Sequence, residues 1–196
     1  MTEPCADRYL SLASNSEGLY KEKGSRFLAF AFPVETENEV KEHIRDLKKK
    51  WHDARHHVYA FRLGADMKTF RCSDDGEPSN SSGPPVLGQI QSHGLTNVLI
   101  VVARYFGGTK LGVPGLINAY RSAAADAIAN NTIVEKFEQD VFTITFGYVV
   151  MNDVMKVLKE ENPEQRNQHF DNACSMQLSI RRRDSLILRQ KLLAVD

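Results

Sequence analysis

Two short stretches hold the residues that could do chemistry. In CSDDGEPSNSSGPPVLGQI the carboxylates Asp74, Asp75 and Glu77 fall within four residues. Such a cluster can hold a divalent cation or act as acid and base, although the spacing is not that of an EF-hand and Pro78 excludes a helical array of ligands. In ARYFGGTKLGVPG, residues 103–115, Arg104, Tyr105 and Phe106 precede Gly107, Gly108, Gly112 and Gly115, with Lys110 among them and Arg121 beyond. Bare backbone turning into a helix offers N–H groups without internal partners, the donors a phosphate or carboxylate takes. The stretch is neither a P-loop, since Leu111 follows Lys110, nor a dinucleotide fingerprint. The same residues allow a structural reading, in which the glycines let strand and helix pack closely and the arginines pair with acids. If the two loops fold together, Asp74, Asp75 and Glu77 neutralise Arg104 or Lys110, which explains why acids and bases occupy two neighbouring loops.

Histidines give a weaker signal. His52 and His56 are four apart with His57 adjoining, but a helix-to-strand transition between them spoils a shared metal-ligating face. No metal set is recognisable, and no cofactor is implied. Ser79, Ser81 and Ser82 lack the GxSxG elbow of a nucleophile and read as loop residues.

The elements that position these stretches follow from periodicity. Val98–Ala103 is a continuous apolar, β-branched run, which predicts a central strand buried on both faces. The alanine-rich LINAYRSAAADAIAN after Gly115 predicts a helix. Met1–Ser16 reads as a loose arm on which Tyr9, Leu10 and Leu12 can dock, and 19–34 as extended structure broken at Gly24, with Phe27, Phe30 and Phe32 as core. Thr36 and Glu39 form a capping box ahead of Val40, Ile44, Leu47 and Trp51 on one helical face. Val58–Phe61 is a strand with a short return at Thr69–Arg71; 73–85 is a loop, and 86–94 a short helix.

Asn130–Glu138 reads as a linker, giving domains at 1–133 and 138–196. Beyond it, alternation at 141–148, a helix from Asn152 or Asp153 to Pro163, strands at 165–170 and 175–180, and a helix at 185–194 suggest a ferredoxin-like half-sandwich. Its last strand would be missing or barely formed at Val195 and Asp196. Arg181, Arg182 and Arg183 form a dense positive run, a phosphate contact or a solvated turn.

Bulk composition narrows the class. With 25 Lys plus Arg against 25 Asp plus Glu, no global field draws the chain to nucleic acid or acidic membrane, so any such binding must be local. Cys5, Cys72 and Cys174 are far apart, without a CxxC, so neither a disulfide framework nor a zinc module is indicated. A cytoplasmic protein with no leader and no membrane span is expected.

Several separated motifs in order, DARHHVYAFRLG, SDDGEP, GPPVLGQI, VVARYFGGTKLG and GLINAY, resemble the YigZ/IMPACT family, most closely its bacterial branch. The resemblance spans nearly the whole chain. It implies an α+β protein of two domains: an N-terminal ribosomal-protein-like domain similar to domain IV of elongation factor G, and a ferredoxin-like C-terminal domain similar to its domain V. Members commonly carry Gly-Thr-Ala-Gly where this chain has Asn80, Ser81, Ser82 and Gly83, and Gly where it has Pro114. By matching positions the resemblance carries over His56, Asp74, Asp75, Glu77, Arg104, Tyr105, Phe106, Gly107, Gly108, Lys110, Leu111, Gly112 and Gly115 as ligand-binding candidates, with no catalytic role attached. Eukaryotic members are implicated in translational control, through an N-terminal domain for which this chain has no room. The resemblance therefore implies a noncatalytic translation-associated regulator that binds RNA, the ribosome or a protein partner in translational control. Nucleic acid would meet Arg104, Lys110, Arg121 and Arg181–Arg183. The alternative is a hydrolase-like enzyme or small anionic-ligand binder, with an acidic-loop carboxylate as base, His56 as proton carrier and Arg104 as anion clamp. A protein-binding adaptor would instead need an exposed apolar patch.

Overall fold

The computed structural model describes residues 7–171 and 173–195; Cys5 and Asp196 lie outside the described residues. The chain divides into two compact units, a larger one at 9–136 and a smaller one built from 137–195 with Asp7 and Arg8. Both mix helix and strand, an α+β fold.

The larger unit is laid around β6 (Val98–Tyr105), whose apolar run is fully buried from Val98 to Ala103. It lies at the centre of a five-stranded sheet, flanked by β3 (Ser25–Pro33) and β4 (His56–Leu63), with β2 (Ser16–Glu22) and β5 (Thr69–Ser73) at the edges; every pairing is antiparallel. Strand alternation splits β6 between two cores. Val98, Ile100 and Val102 face α2 (Gly83–Ser92) and α3 (Gly112–Ala129), together with Phe27 and Tyr120. Leu99, Val101 and Ala103 face α1 (Glu37–Lys50), packing with Phe30, Val40 and Leu47, with Phe32 partly buried beside them. Burying each of the larger of these side chains contributes roughly 1.5–3 kcal/mol, so the strand that carries Arg104 is rigidly seated.

The helices start where local chemistry allows. At α1 the Thr36 hydroxyl accepts from the Glu39 N–H at 3.2 Å, as a capping box predicts, while the Glu39 carboxylate accepts from the Glu35 N–H at 2.9 Å, one residue before the cap. The other two begin three and four residues earlier than the sequence suggests, α2 at Gly83 and α3 at Gly112. Pro84 and Pro85 sit in the first turn of α2, and Pro114 in that of α3, where a missing N–H leaves no intrahelical bond unmade. Gly112 opens α3 with a φ of +70°, a conformation that disfavours a side chain.

Two further corrections concern pairing. The expected loose arm is β1 (Arg8–Leu12), with Tyr9 and Leu12 buried, and the expected linker is largely β7 (Ile133–Phe137); the two form a two-stranded sheet.

In the smaller unit β8 (Gln139–Gly147), a single 3-10 turn, α4 (Met151–Glu161), β9 (Glu164–His169), β10 (Ala173–Arg181) and α5 (Arg182–Leu193) follow in order. The antiparallel sheet runs β8-β10-β9, so β10 lies between the two strands that α4 connects. Val154, Leu158, Met176, Leu178, Ile180 and Leu188 make its core. Asn162, in the left-handed region, and Pro163 end α4. Val195 forms no strand.

Candidate functional site

β4, β6, the loop after β5 and the start of α3 enclose a cavity of ≈ 510 Å³ lined by Arg55, His56, Gly76, Glu77, Pro78, Arg104, Phe106, Lys110, Leu111, Gly112, Val113 and Leu116. His56 and Arg104 arrive together because they are cross-strand partners at the ends of β4 and β6. The loop reaches them by a sharp bend at Asp75 and Gly76, both at positive φ.

Glu77 is the floor. Its Oε1 accepts from Arg104 Nη1 at 2.6 Å and from the Tyr120 hydroxyl at 2.8 Å, and lies 3.9 Å from His56 Nε2. The Glu77 and Arg104 side chains are 4% and 7% exposed, so this is a buried ion pair. Burial, then the adjacent carboxylate that accepts its proton, pushes the Tyr120 phenol far above its ordinary value, and it stays a donor. His56 Nδ1 lies 2.8 Å from the Asp75 carbonyl. A carbonyl only accepts, so Nδ1 carries the proton and Nε2 faces Glu77.

The other two acids are spent on the loop itself. Asp74 Oδ1 accepts from the Ser82 hydroxyl and from the Ser82 and Gly83 N–H groups, and Oδ2 from the Asn80 N–H, at 2.7–3.0 Å. Burial opposes its charge, but these bonds outweigh burial and hold the carboxyl below its ordinary value. Asp75 is likewise opposed by burial and held low by the His57 N–H and the Lys48 ammonium. His57 is buried, which lowers its pKa, and its Nε2–H donates to the Trp51 carbonyl. The acidic loop thus pairs with bases and backbone: Glu77 with Arg104, Asp75 with Lys48, and Asp74 with the start of α2.

Of the expected ligand-binding residues the cleft gathers His56, Glu77, Arg104, Phe106, Lys110, Leu111 and Gly112. Tyr105 points elsewhere, donating to Asp53 at 2.6 Å under the Arg26 guanidinium. Gly107 is a packing residue, since a Cβ there would lie 2.0 Å from the Gly24 carbonyl carbon. Gly108 turns the chain at φ +87°, and Gly115 lies within α3. The expected nucleic-acid contacts divide in the same way. Arg104 is buried and paired, which removes it from any phosphate outside. Arg121 is exposed on α3 but does not line the cleft. Arg181 to Arg183 close β10 and open α5, where Arg181 forks onto Asp7 at 2.8 and 2.9 Å, Arg182 pairs with Glu138 and Asp140, and Arg183 with Asp184.

Arg55 and Tyr120 escape the sequence reading. Arg55 adjoins His56, so the strand end that presents one presents the other; Tyr120 lies one helical turn beyond Leu116, on the same face. Arg55 and Lys110 are exposed, and neither has an ion pair among the described residues. The first turn of α3 has no side-chain cap and no acidic residue. With Glu77 and Arg104 cancelling, positive charge dominates the mouth of the cleft.

Fold and cleft together describe an α+β protein of two units whose larger unit carries a cationic pocket at a strand-to-helix turn. Residues 23–128 match the Impact N-terminal domain, and the chain belongs to the IMPACT family. It is 33% identical over 136 residues to the IMPACT family member YvyE of Bacillus subtilis, 69% of this chain and 63% of that one. The IMPACT family member YigZ of Escherichia coli is 31% identical over 138 residues, 69% of this chain and 68% of that one. A crystal structure of a hypothetical protein, 26% identical, superposes with a TM-score of 0.75 over 95% of this chain and 91% of the other. The match therefore spans under two thirds of the Bacillus subtilis relative. Among the described residues no helix is long and apolar enough to cross a membrane.

Proposed function

We propose that this chain is a noncatalytic, translation-associated protein that binds RNA, on the ribosome or free, through the cleft of its larger unit. One observation carries the reading: two cations without an ion pair among the described residues, Arg55 and Lys110, stand with the uncapped start of α3 in a single cavity. Membership of the IMPACT family supports the link to translation; in this reading the two units correspond to domains IV and V of elongation factor G, the smaller one ferredoxin-like. A noncatalytic role accords with the floor, where Glu77 is committed to Arg104 and Tyr120 and is not free to act as base or metal ligand.

The test is fluorescence anisotropy with a labelled single-stranded RNA at low and physiological salt. Binding should saturate, weaken with salt and weaken in Lys110→Ala and Arg55→Ala, exposed positions that leave the buried pair intact. Absence of binding at low salt, or affinity unchanged in both variants, overturns the assignment.

A second reading rests on His56. Its fixed tautomer presents Nε2 toward the cleft, where a small anionic substrate could meet it for proton transfer. In that reading the chain is a hydrolase-like enzyme or a small-ligand binder, and a His56→Gln variant would lose turnover while RNA binding persisted.

A further inference from the structure

We infer that the cleft takes a terminal phosphomonoester of an RNA chain, with the end nucleotide against Phe106, rather than a stretch of internal backbone. The inference rests on the RNA-binding reading above and sharpens its ligand. The first argument is charge. A phosphodiester carries one negative charge, whereas a phosphomonoester carries about −1.5 to −2 at neutral pH. Arg55 and Lys110, unpaired among the described residues, together with the uncapped helix start, match the larger charge better than the smaller.

Shape gives the second argument. The ≈ 510 Å³ cavity is a pocket of small-ligand size, and its floor is the buried Glu77 and Arg104. A pocket with a floor accepts an end, whereas a continuing strand needs an open groove. Phe106, Leu111, Val113 and Leu116 add apolar lining to the same cleft, and Phe106 is 46% exposed, available to stack on a base.

The experiment titrates the full chain into an internally labelled octanucleotide carrying a 5′-phosphate, a 3′-phosphate or neither, read by anisotropy at physiological salt. One phosphorylated form should bind about tenfold more tightly than the unphosphorylated form, and Lys110→Ala and Arg55→Ala should each reduce that preference. Phe106→Ala should weaken all three forms while sparing the preference. Equal affinity for the three RNAs overturns the terminal-phosphate inference and leaves RNA binding standing. If none binds, calorimetry with adenosine 5′-monophosphate decides: binding lost in Lys110→Ala supports a phosphomonoester site while the RNA reading falls, and no heat of binding overturns both.

Discussion

Glu77 holds the site together one bond at a time. Its carboxylate joins β6 through Arg104 and α3 through Tyr120, so removing its charge leaves a buried guanidinium without its counter-ion. Glu77→Gln should therefore lower stability by about 3–5 kcal/mol, read from the denaturant midpoint, since a broken buried pair costs more than the pair contributes. Tyr120→Phe removes one bond to the charge and should cost about 1.5–3 kcal/mol. Lys110→Ala touches neither and should stay within about 0.5 kcal/mol of the parent, so a loss of binding in it reports on the ligand and not on folding. If Glu77→Gln proves as stable as the parent, the ion pair is not what fixes the loop. That acids and bases of two loops would pair was legible in the sequence. Which acid pairs was not, because the answer depends on the reversal at Asp75 and Gly76, where positive φ swings Glu77 under Arg104 and leaves Asp74 facing α2.

At the scale of elements, Asp74 turns a loop into the start of a helix. Its carboxylate accepts from the Ser82 and Gly83 N–H groups, donors a new helix leaves unmatched, so Asp74→Ala should cost about 1–2 kcal/mol. The pH dependence follows from the direction of its shift. Because the folded carboxyl lies below its ordinary value, its contribution is present above that value, near about pH 4, and is lost as pH falls through the folded value. Thermal unfolding of parent and variant should differ at neutral pH and converge under acid; a gap that persists undiminished below about pH 3 would mean that the charged form is not what caps α2. The elements show the same division between legible and hidden. The central strand, the capping box and the βαββα order at 139–193 carry strong local patterns and are seen where they were expected. The starts of α2 and α3 were hidden because Pro84, Pro85, Gly112 and Pro114 signal a loop by composition yet suit a first turn. β1 and β7 were hidden because they pair across more than a hundred residues of chain, which no local periodicity records.

For the molecule as a whole, the equal numbers of acids and bases are distributed so that most concentrated charge is already answered. The run Arg181–Arg183, three consecutive bases, meets Asp7, Glu138, Asp140 and Asp184, the first of these contributed from the other end of the chain. In the cleft, Arg55 and Lys110 have no such partners among the described residues and share one cavity. RNA held there should release few counterions. For single-stranded nucleic acid the slope of log K against log salt is about −0.7 per phosphate neutralised, so two contacts give a slope of roughly −1.4, and Lys110→Ala should bring it to roughly −0.7. Anisotropy across a series of salt concentrations measures both slopes. A parent slope steeper than about −3 would require four or more neutralised phosphates, more than the cleft can supply, and would move the RNA surface to Arg121, to the Arg181–Arg183 run or to both. A shallow slope that Lys110→Ala halves would locate the charge neutralisation in the cleft, because no other single lysine could then account for half of it.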